Sequence, residues 1–203
     1  MTHRYQLKVT LRGTKPPIWR RVVVPGDLTL DRLHRVLQDA MGWQDCHLHS
    51  FTIHGTDFGV PDRDGWGGPD LEPEKKYRLE ALVGEKARFS YTYDFGDSWV
   101  HGILLEKVTP GDVPTPRCIA GARACPPEDC GGTWGYGELV EALADSSHER
   151  HEELAGWVPP GWMPERFDLA LADRLVVKHG VRRARAKKPP ARTWVRSRAS
   201  ASS

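Results

Sequence analysis

Residues 88–108, RFSYTYDFGDSWVHGILLEKV, alternate polar with large apolar or aromatic side chains on both sides of Gly96 and Asp97. Successive side chains of a strand point to opposite faces of a sheet, so this pattern predicts a long aromatic β-hairpin with its turn at the Gly-Asp pair. The residues expected on its apolar face are Phe89, Tyr91, Tyr93, Phe95, Trp99, His101, Ile103 and Leu105. A hairpin of this kind is stable only when other elements cover its apolar face, so the rest of the fold is expected to pack around it.

The turn of the hairpin contains Asp-Phe-Gly, the triplet with which protein kinases hold magnesium. A kinase also needs a glycine-rich phosphate loop, a strand lysine and a His-Arg-Asp catalytic loop, and the sequence contains none of these. A second Asp-Phe-Gly occupies residues 57–59, again where a strand is predicted to end. Because the triplet occurs at two predicted strand ends, and glycine accepts the backbone angles of a turn, both triplets are expected to form turns. Kinase chemistry is therefore excluded.

The N-terminal part of the chain predicts a β-β-α-β unit. Residues 5–11 alternate as a half-buried strand does, and residues 18–24 form a second strand after a loop that contains Gly and Pro. A helix follows and is expected to end at Gly42. Its apolar face consists of Leu30, Leu33, Val36, Leu37 and Ala40. Residues 47–54 return to a period of two and predict the third strand.

The remaining segments predict a long loop in residues 56–76, a short strand in residues 77–83 and an aperiodic stretch in residues 110–137. Helices are predicted in residues 138–145, 148–155 and 164–179. Together the elements predict an α+β fold, in which a mixed or antiparallel sheet contains the β-β-α-β unit and the aromatic hairpin, and the C-terminal helices pack on it. Residues 1–180 are expected to form a single domain, since domains commonly contain about 100–200 residues.

The charges are divided unevenly along the chain. Residues 178–203 contain nine Lys or Arg and no acidic residue, whereas the other 177 residues contain 27 acidic and 20 basic side chains. Residues 181–203 are expected to be a disordered basic tail, because they have too few apolar side chains to bury. Such a tail either contacts the phosphates of a nucleic acid or only keeps the protein in solution. The candidate contacts are Arg182, Arg183, Arg185, Lys187, Lys188 and Arg192.

The sequence also predicts a location. It has no run of about 18 apolar residues, and MTHRYQLKV lacks the apolar centre of a signal peptide. We therefore expect a cytoplasmic protein that does not enter a membrane. In that reducing compartment its four cysteines are expected to be free.

Four segments, in this order and at these separations, resemble a known family. They are KPPIWRRVVVP, LHRVLQDAMGWQDCHLHSFTI, YTYDFGDSWVH and PRCIAGARACPPEDCGGTWGY. Together they are similar to the plasmid pRiA4b ORF-3-like family, whose members are also described as passenger proteins of mobile insertion elements. The resemblance covers about residues 5–143 and implies an α+β fold and a cytoplasmic prokaryotic protein encoded near mobile DNA. It does not imply a reaction.

Three cysteines and three histidines are the candidate metal ligands. They are Cys118, Cys125, Cys130, His47, His49 and His101. Thiolates with one imidazole would complete a tetrahedral zinc site if the predicted strands and the cysteine segment pack together. The cysteine spacing is not that of a zinc ribbon, and packing or redox roles are the alternatives. For His101 the alternative is a hydrogen-bonded position in the core.

A second set of candidates would bind a ligand between the hairpin and the PPEDCGG segment. It consists of Asp94, Asp97, Trp99, Glu128, Asp129, Trp134 and Tyr136. Carboxylates on a stiff loop beside aromatic side chains are typical of binding sites. The alternative is structural: acidic side chains accept amide hydrogen bonds or cap the next helix, and the indoles, including those of Trp19, Trp43 and Trp66, fill the core.

Two functional hypotheses follow. The first is a non-catalytic binding or accessory module, associated with mobile elements, that contacts nucleic acid through the basic tail. The second is a zinc-dependent enzyme whose site combines the strand histidines with the acidic and cysteine-containing residues 118–130. The convergence of these two groups in space would favour the second hypothesis.

Overall fold

The aromatic hairpin lies at the centre of an eight-stranded sheet in the computed structural model, which describes residues 2–62 and 69–180. The strands are β1 (His3–Leu11), β2 (Trp19–Pro25), β3 (His49–Ile53), β4 (Thr56–Gly59), β5 (Glu72–Pro73), β6 (Arg88–Tyr93), β7 (Trp99–Pro110) and β8 (Arg117–Ala122). Their order is β5-β4-β3-β6-β7-β1-β2-β8, and β4 with β5 is the parallel pair in an otherwise antiparallel sheet. The predicted mixed sheet is confirmed.

The hairpin pairs β6 with β7, and Tyr93 lies opposite Trp99. Its turn spans residues 94–98 and is longer than the Gly-Asp pair that the sequence predicted. Asp94 and Ser98 adopt left-handed backbone angles (φ 55° and 54°), and the Ser98 N–H donates to the Asp94 carbonyl at 2.7 Å. The alternation therefore stops at Tyr93, and Phe95 is 41% exposed instead of lying on the apolar face.

The described residues contain helices α1 (Leu30–Met41), α2 (Leu79–Leu82), α3 (Gly132–Ala144), α4 (His151–Trp157) and α5 (Leu169–Val176). Helix α1 ends at Gly42 as predicted: the φ angle of Gly42 is 107°, and its N–H donates to the Gln38 carbonyl at 2.8 Å. The order β1-β2-α1-β3, followed by the hairpin and the C-terminal helices, confirms the predicted α+β fold. None of the helices in this part of the chain is long and apolar enough to span a membrane.

Three local predictions were wrong. Residues 77–83 contain the single helical turn α2 instead of a strand, and residues 56–76 contain the short strands β4 and β5 instead of only a loop. The stretch 110–137, which lacks periodicity, contains β8. Strand β4 has only four residues, and Cys118 is the one fully buried side chain of β8, so neither shows a period of two in the sequence.

The two faces of the sheet differ. Every second side chain of β1, β2, β6 and β7 is buried, and these side chains form the core together with α1. The intervening side chains, such as Lys8, Arg21 and Leu104, remain at least partly exposed. Helix α5 packs on α1 and on the edge strand β8, where Asp173 accepts hydrogen bonds from Arg117 and from the backbone N–H of Cys118. The helices lie on the buried face, and the opposite face of these strands is open to solvent.

Arg20 is a charged side chain on the buried face. It is 1% exposed, and its guanidinium donates to the carbonyls of Ala40 and Met41 at the end of α1 and of Ala122 on β8. The ring centroid of Phe167 lies 3.9 Å from the guanidinium carbon. Carbonyls in the last turn of a helix have no partner within the helix, so Arg20 both satisfies them and ties α1 to two strands.

We predict that Arg20→Met lowers the free energy of unfolding by about 3 kcal/mol or more, because several buried carbonyls lose a hydrogen bond to a charged group. The adjacent Arg21 provides the control. It forms a partly exposed ion pair with Glu106 on the opposite face, so Arg21→Met should change the free energy by less than about 1 kcal/mol. Urea unfolding of both variants measures the difference, and equal effects would contradict the assigned role of Arg20.

Candidate metal centre

Three segments distant in sequence meet at the turn of the hairpin. The Asp94 N–H donates to the Leu48 carbonyl at 2.9 Å, which joins the turn to the segment before β3. The Gly131 N–H donates to Asp97 Oδ2 at 3.1 Å, which joins the turn to the loop before α3. The same loop reaches the segment before β3, because Glu128 Oε1 accepts the Gln44 N–H at 2.7 Å. These contacts bring the segment before β3, which contains His47, next to the hairpin turn and to the loop before α3.

His47 lies where these segments meet and faces three carboxylates. Its Nε2 is 3.2 Å from Asp129 Oδ1, 3.7 Å from Asp94 Oδ2 and 3.8 Å from Glu128 Oε2. The ligand atoms of His47, Asp94 and Asp129 all lie within 4.8 Å of one another, and so do those of Cys46, His47 and Glu128. Both groups share His47, which makes it the central residue of the site.

The inner carboxylates are oriented by hydrogen bonds to only one of their two oxygens. Asp94 Oδ1 accepts the Gly96 N–H at 2.9 Å, and Glu128 Oε1 accepts the Tyr93 hydroxyl at 3.2 Å in addition to the Gln44 N–H. Burial raises the pKa of Tyr93, so its hydroxyl keeps the proton that it donates. Their second oxygens face His47. This division between a holding oxygen and a free oxygen is typical of carboxylates that serve as ligands.

Two atoms at the centre of the site are buried and have no hydrogen-bond partner among the described residues. They are Glu128 Oε2 and His47 Nε2, whose contact of 3.2 Å with Asp129 Oδ1 does not have the geometry of a hydrogen bond; the Glu128 side chain is only 9% exposed. Buried polar atoms in proteins are nearly always satisfied, so each exception requires an explanation such as a bound ion or water. The site is also accessible, since the Asp129 side chain is 70% exposed and that of His47 is 26% exposed.

The loop before α3 can approach the hairpin turn because it contains two glycines. Gly131 and Gly132 have φ angles of 85° and 67°, in the left-handed region that glycine occupies without strain. A Cβ atom on Gly132 would lie 2.7 Å from the Asp97 carbonyl oxygen, which is a steric overlap. The Gly-Gly pair therefore determines how close Glu128 and Asp129 come to His47.

The family model described as plasmid pRiA4b ORF-3-like protein matches residues 3–171, which is most of the chain. The chain belongs to this family. It is 46% identical over 154 residues to the uncharacterised protein y4hQ of Sinorhizobium fredii, and the match covers 75% of this chain and 79% of that protein. It also resembles the crystal structure of MM3350 from Methanosarcina mazei, a protein of unknown function, with a TM-score of 0.75 and 40% identity over 84% of this chain and 97% of that one.

In this pRiA4b ORF-3-like protein, the second candidate histidine lies apart from His47, inside the core. His49 Nε2 is 2.9 Å from Glu74 Oε2, and Glu74 is itself buried. The His49 ring stacks on that of His34, with centroids 3.4 Å apart and planes within 2°. Burial and the proximity of His49 lower the pKa of His34 to about 4, so His34 is neutral near pH 7. His49 is therefore part of a buried polar network, and it is absent from the two ligand groups around His47.

His101 occupies the hydrogen-bonded core position that was the alternative to a metal ligand. The Trp43 indole N–H donates to His101 Nε2 at 3.3 Å, so Nδ1 carries the hydrogen and donates to the Tyr91 carbonyl, also at 3.3 Å. Both ring nitrogens are thus used. Trp99 is also fully buried, with its ring centroid 5.5 Å from that of Trp43, and it serves the core.

The three candidate cysteines are not in the ligand groups formed by the described residues. Cys118 and Cys125 are buried and Cys130 is partly exposed. Burial raises the pKa of Cys118 to about 11, that of Cys130 to about 12 and that of Cys125 well above its ordinary value. Their thiols are therefore protonated near pH 7 in this environment, as expected of packed cysteines.

The other candidates lie around the site or outside the described residues. Asp97 and the buried Tyr136 help to hold the loop and α3, whereas Trp134 is 79% exposed. Trp66 and the tail residues 181–203 lie outside the described ranges, so nucleic-acid binding by the tail remains a prediction. Cys46 was not among the ligands predicted from the sequence, and its N–H donates to the Tyr93 hydroxyl at 3.0 Å. Its position beside His47 in DCHLH was the available signal.

The core role of His101 predicts a loss of stability in acid. Burial lowers its pKa to about 4 in the folded protein, against about 6.5 in the unfolded chain, so the unfolded state binds the proton more readily. The contribution of neutral His101 is complete above pH 6.5 and decreases as the pH falls toward 4. We expect a loss of about 3 kcal/mol from this group over that range.

Urea unfolding of His101→Gln and of the wild type at several pH values measures this contribution. The variant should be destabilised at pH 7 but should lose about 3 kcal/mol less than the wild type on acidification to pH 4. His54→Gln is the control, because His54 is exposed and its ring bonds the Leu82 carbonyl outside the core. A His101 variant with the pH slope of the wild type would rule out this assignment.

Proposed function

We propose that the protein binds a divalent transition-metal ion through His47, Asp94, Glu128 and Asp129, and that this ion is its functional centre. The observation that carries the proposal is the pair of buried atoms His47 Nε2 and Glu128 Oε2, which lie 3.8 Å apart and have no hydrogen-bond partner among the described residues. Donor atoms bound to one ion at about 2.0–2.2 Å are about 3–3.6 Å from one another. The distances of 3.2–3.8 Å around His47 approach that range.

The charge of the site supports a cation. Three carboxylates surround one imidazole, so a protonated His47 would balance only one of three negative charges. Charges brought this close in a partly buried site are costly without compensation. A divalent ion would supply two positive charges and would satisfy Glu128 Oε2 and His47 Nε2 together.

The donor set favours zinc, with manganese(II) and iron(II) as competitors. Imidazole nitrogen suits zinc and iron, whereas carboxylate oxygen suits manganese as well. The Cys46 thiol lies within 4.8 Å of the ligand atoms of His47 and Glu128 and would add a donor that zinc prefers. Structural zinc sites are usually closed and rich in thiolates. This site differs from them, because its donors include nitrogen and oxygen and it lies near the surface.

Metal-assisted hydrolysis is the reaction class that we assign to the centre. A zinc ion that leaves one coordination position, such as that of the exposed Asp129, to water would lower the pKa of that water to about 7. Asp129 and His47 reach the surface, so a substrate could approach from the solvent side. Glu128 is held at Oε1 by Tyr93 and Gln44, which would keep its second oxygen directed at the ion.

Metal binding to the full-length protein tests the proposal. We expect one zinc ion per chain by elemental analysis, and at least a hundredfold weaker affinity for His47→Ala in calorimetry. Removing the Tyr93 hydroxyl in Tyr93→Phe should weaken binding by about tenfold, since it orients Glu128 without touching the ion. His54→Ala and the core variant Cys118→Ser are controls that should keep wild-type affinity.

Two results would contradict the proposal. One is an absence of metal binding and of any rise in Tm when millimolar zinc, manganese(II) or iron(II) is added to folded protein. The other is metal binding that survives His47→Ala but is lost in Cys118→Ser. That outcome would place the metal at the cysteines instead of at the hairpin turn.

A further inference from the structure

The solvent-facing side of the central sheet is a basic surface that neither the metal centre nor the core requires. Strands β1, β2, β6 and β7 lie next to one another, and their outward side chains are at least partly exposed. The charged residues at these outward positions are Arg4, Lys8, Arg21, Arg88, Glu106 and Lys107. Among these positions Glu106 is the single acidic residue, and both of its oxygens bind Arg21. The surface is therefore strongly cationic.

This charge contrasts with the rest of the body. Residues 1–177 contain more acidic than basic side chains, and several acidic residues cluster near His47. The cations of the sheet thus lie together on one face of an otherwise acidic body. A field arranged in this way attracts a polyanion to one surface and repels it from the others.

The surface also has an aromatic side chain between its cations. The ring centroid of Trp19 is 5.5 Å from Lys8 Nζ and 5.3 Å from the guanidinium carbon of Arg21, and the indole is partly exposed. Aromatic rings with neighbouring cations are the elements on which the bases of single-stranded nucleic acids stack while their phosphates are neutralised.

The middle of the surface is flat. Gly102 lies at an outward position of β7, and Ser90 faces it on β6. A Cβ atom at Gly102 would lie 3.2 Å from Arg12 Nε, so the glycine allows the Arg12 side chain to lie across the strands. Beyond it, an open groove of about 780 Å³ has three basic and two acidic residues in its lining, which consists of Gln6, Glu85, Lys86, Arg88, Leu104, Leu105, Glu106 and Lys107.

We propose that this sheet face binds single-stranded nucleic acid, with phosphates along Lys8, Arg12 and Arg88 and a base against Trp19. A sheet face with an excess of cations beside an aromatic side chain fits a flexible strand whose bases are exposed. A second copy of the chain would bring like charges together, which disfavours self-association through this face. The proposal depends neither on the basic tail nor on the metal centre.

The test is fluorescence anisotropy with a labelled single-stranded DNA of mixed sequence and about twenty nucleotides. Full-length protein is titrated over a range of salt concentrations. The triple variant Lys8→Glu, Arg12→Glu, Arg88→Glu should bind at least about tenfold more weakly, with a salt slope reduced by about 2, because up to three phosphate contacts are lost. Trp19→Ala should weaken binding with little change in the salt slope, since it removes stacking.

The matched control is Arg35→Glu, Lys75→Glu, Lys76→Glu, which makes the same change in net charge at exposed positions outside the sheet face. Equal losses in the two triple variants would overturn the proposal, because only net charge would then matter. The comparison is repeated with the basic residues of 181–203 replaced by serine, and the effect of the sheet variant must persist there. Duplex DNA of the same sequence that binds as tightly as the single strand would overturn the assignment to single strands.

Discussion

The close approach of one backbone to another determines where the candidate centre lies. Gly132 is so near the Asp97 carbonyl that no side chain fits between them, and the adjacent Gly131 N–H bonds the Asp97 carboxylate. This contact fixes the loop that carries Glu128 and Asp129 against the hairpin turn that carries Asp94. The Tyr93 hydroxyl joins the same loop to the segment that carries His47, because it accepts the Cys46 N–H and donates to Glu128. The centre is therefore a product of tertiary docking.

The parts of the fold that were predictable are those with strong local patterns. The aromatic alternation of residues 88–108 and the helical spacing that ends at Gly42 are both present in the structure. Strands β4 and β8 were not predictable, because one is very short and the other has a single fully buried side chain, Cys118. Such strands are formed by pairing with neighbours that are already in place, and the sequence within them carries little signal.

The candidate site could be predicted only in pieces. His47 was a candidate metal ligand, and Asp94, Glu128 and Asp129 belonged to one candidate ligand set, but the sequence did not show which histidine these carboxylates would meet. The pattern of period two could not separate His47 from His49 and His101 either, since it predicted all three on apolar strand faces, whereas β3 begins only at His49. What separates them is the partner of each ring: Glu74 beside His49, and Trp43 with Tyr91 around His101. Those partners come from other elements and depend on the folded chain.

The two faces of the sheet and the turn of its central hairpin have different roles. Its inner face forms the core and buries Arg20, its outer face carries Lys8, Arg21 and Arg88, and the turn of its central hairpin carries the candidate metal ligands. Because the outward and inward side chains alternate along the same strands, the outer face can change its charge without altering the packing below. The binding free energy of a polyanion on the outer face should therefore not depend on whether a metal ion occupies the hairpin turn.

The edges of the sheet have a consequence for association. Strand β5 has two residues, one of which is Pro73 and has no N–H to donate, and on β8 the Cys118 N–H is already bound by Asp173 of α5. An open edge with free amides is the template on which another chain adds a strand. The edge at β5 is very short, and the edge at β8 is partly covered by a carboxylate. The eight-stranded sheet therefore resists edge-to-edge association between copies of the chain.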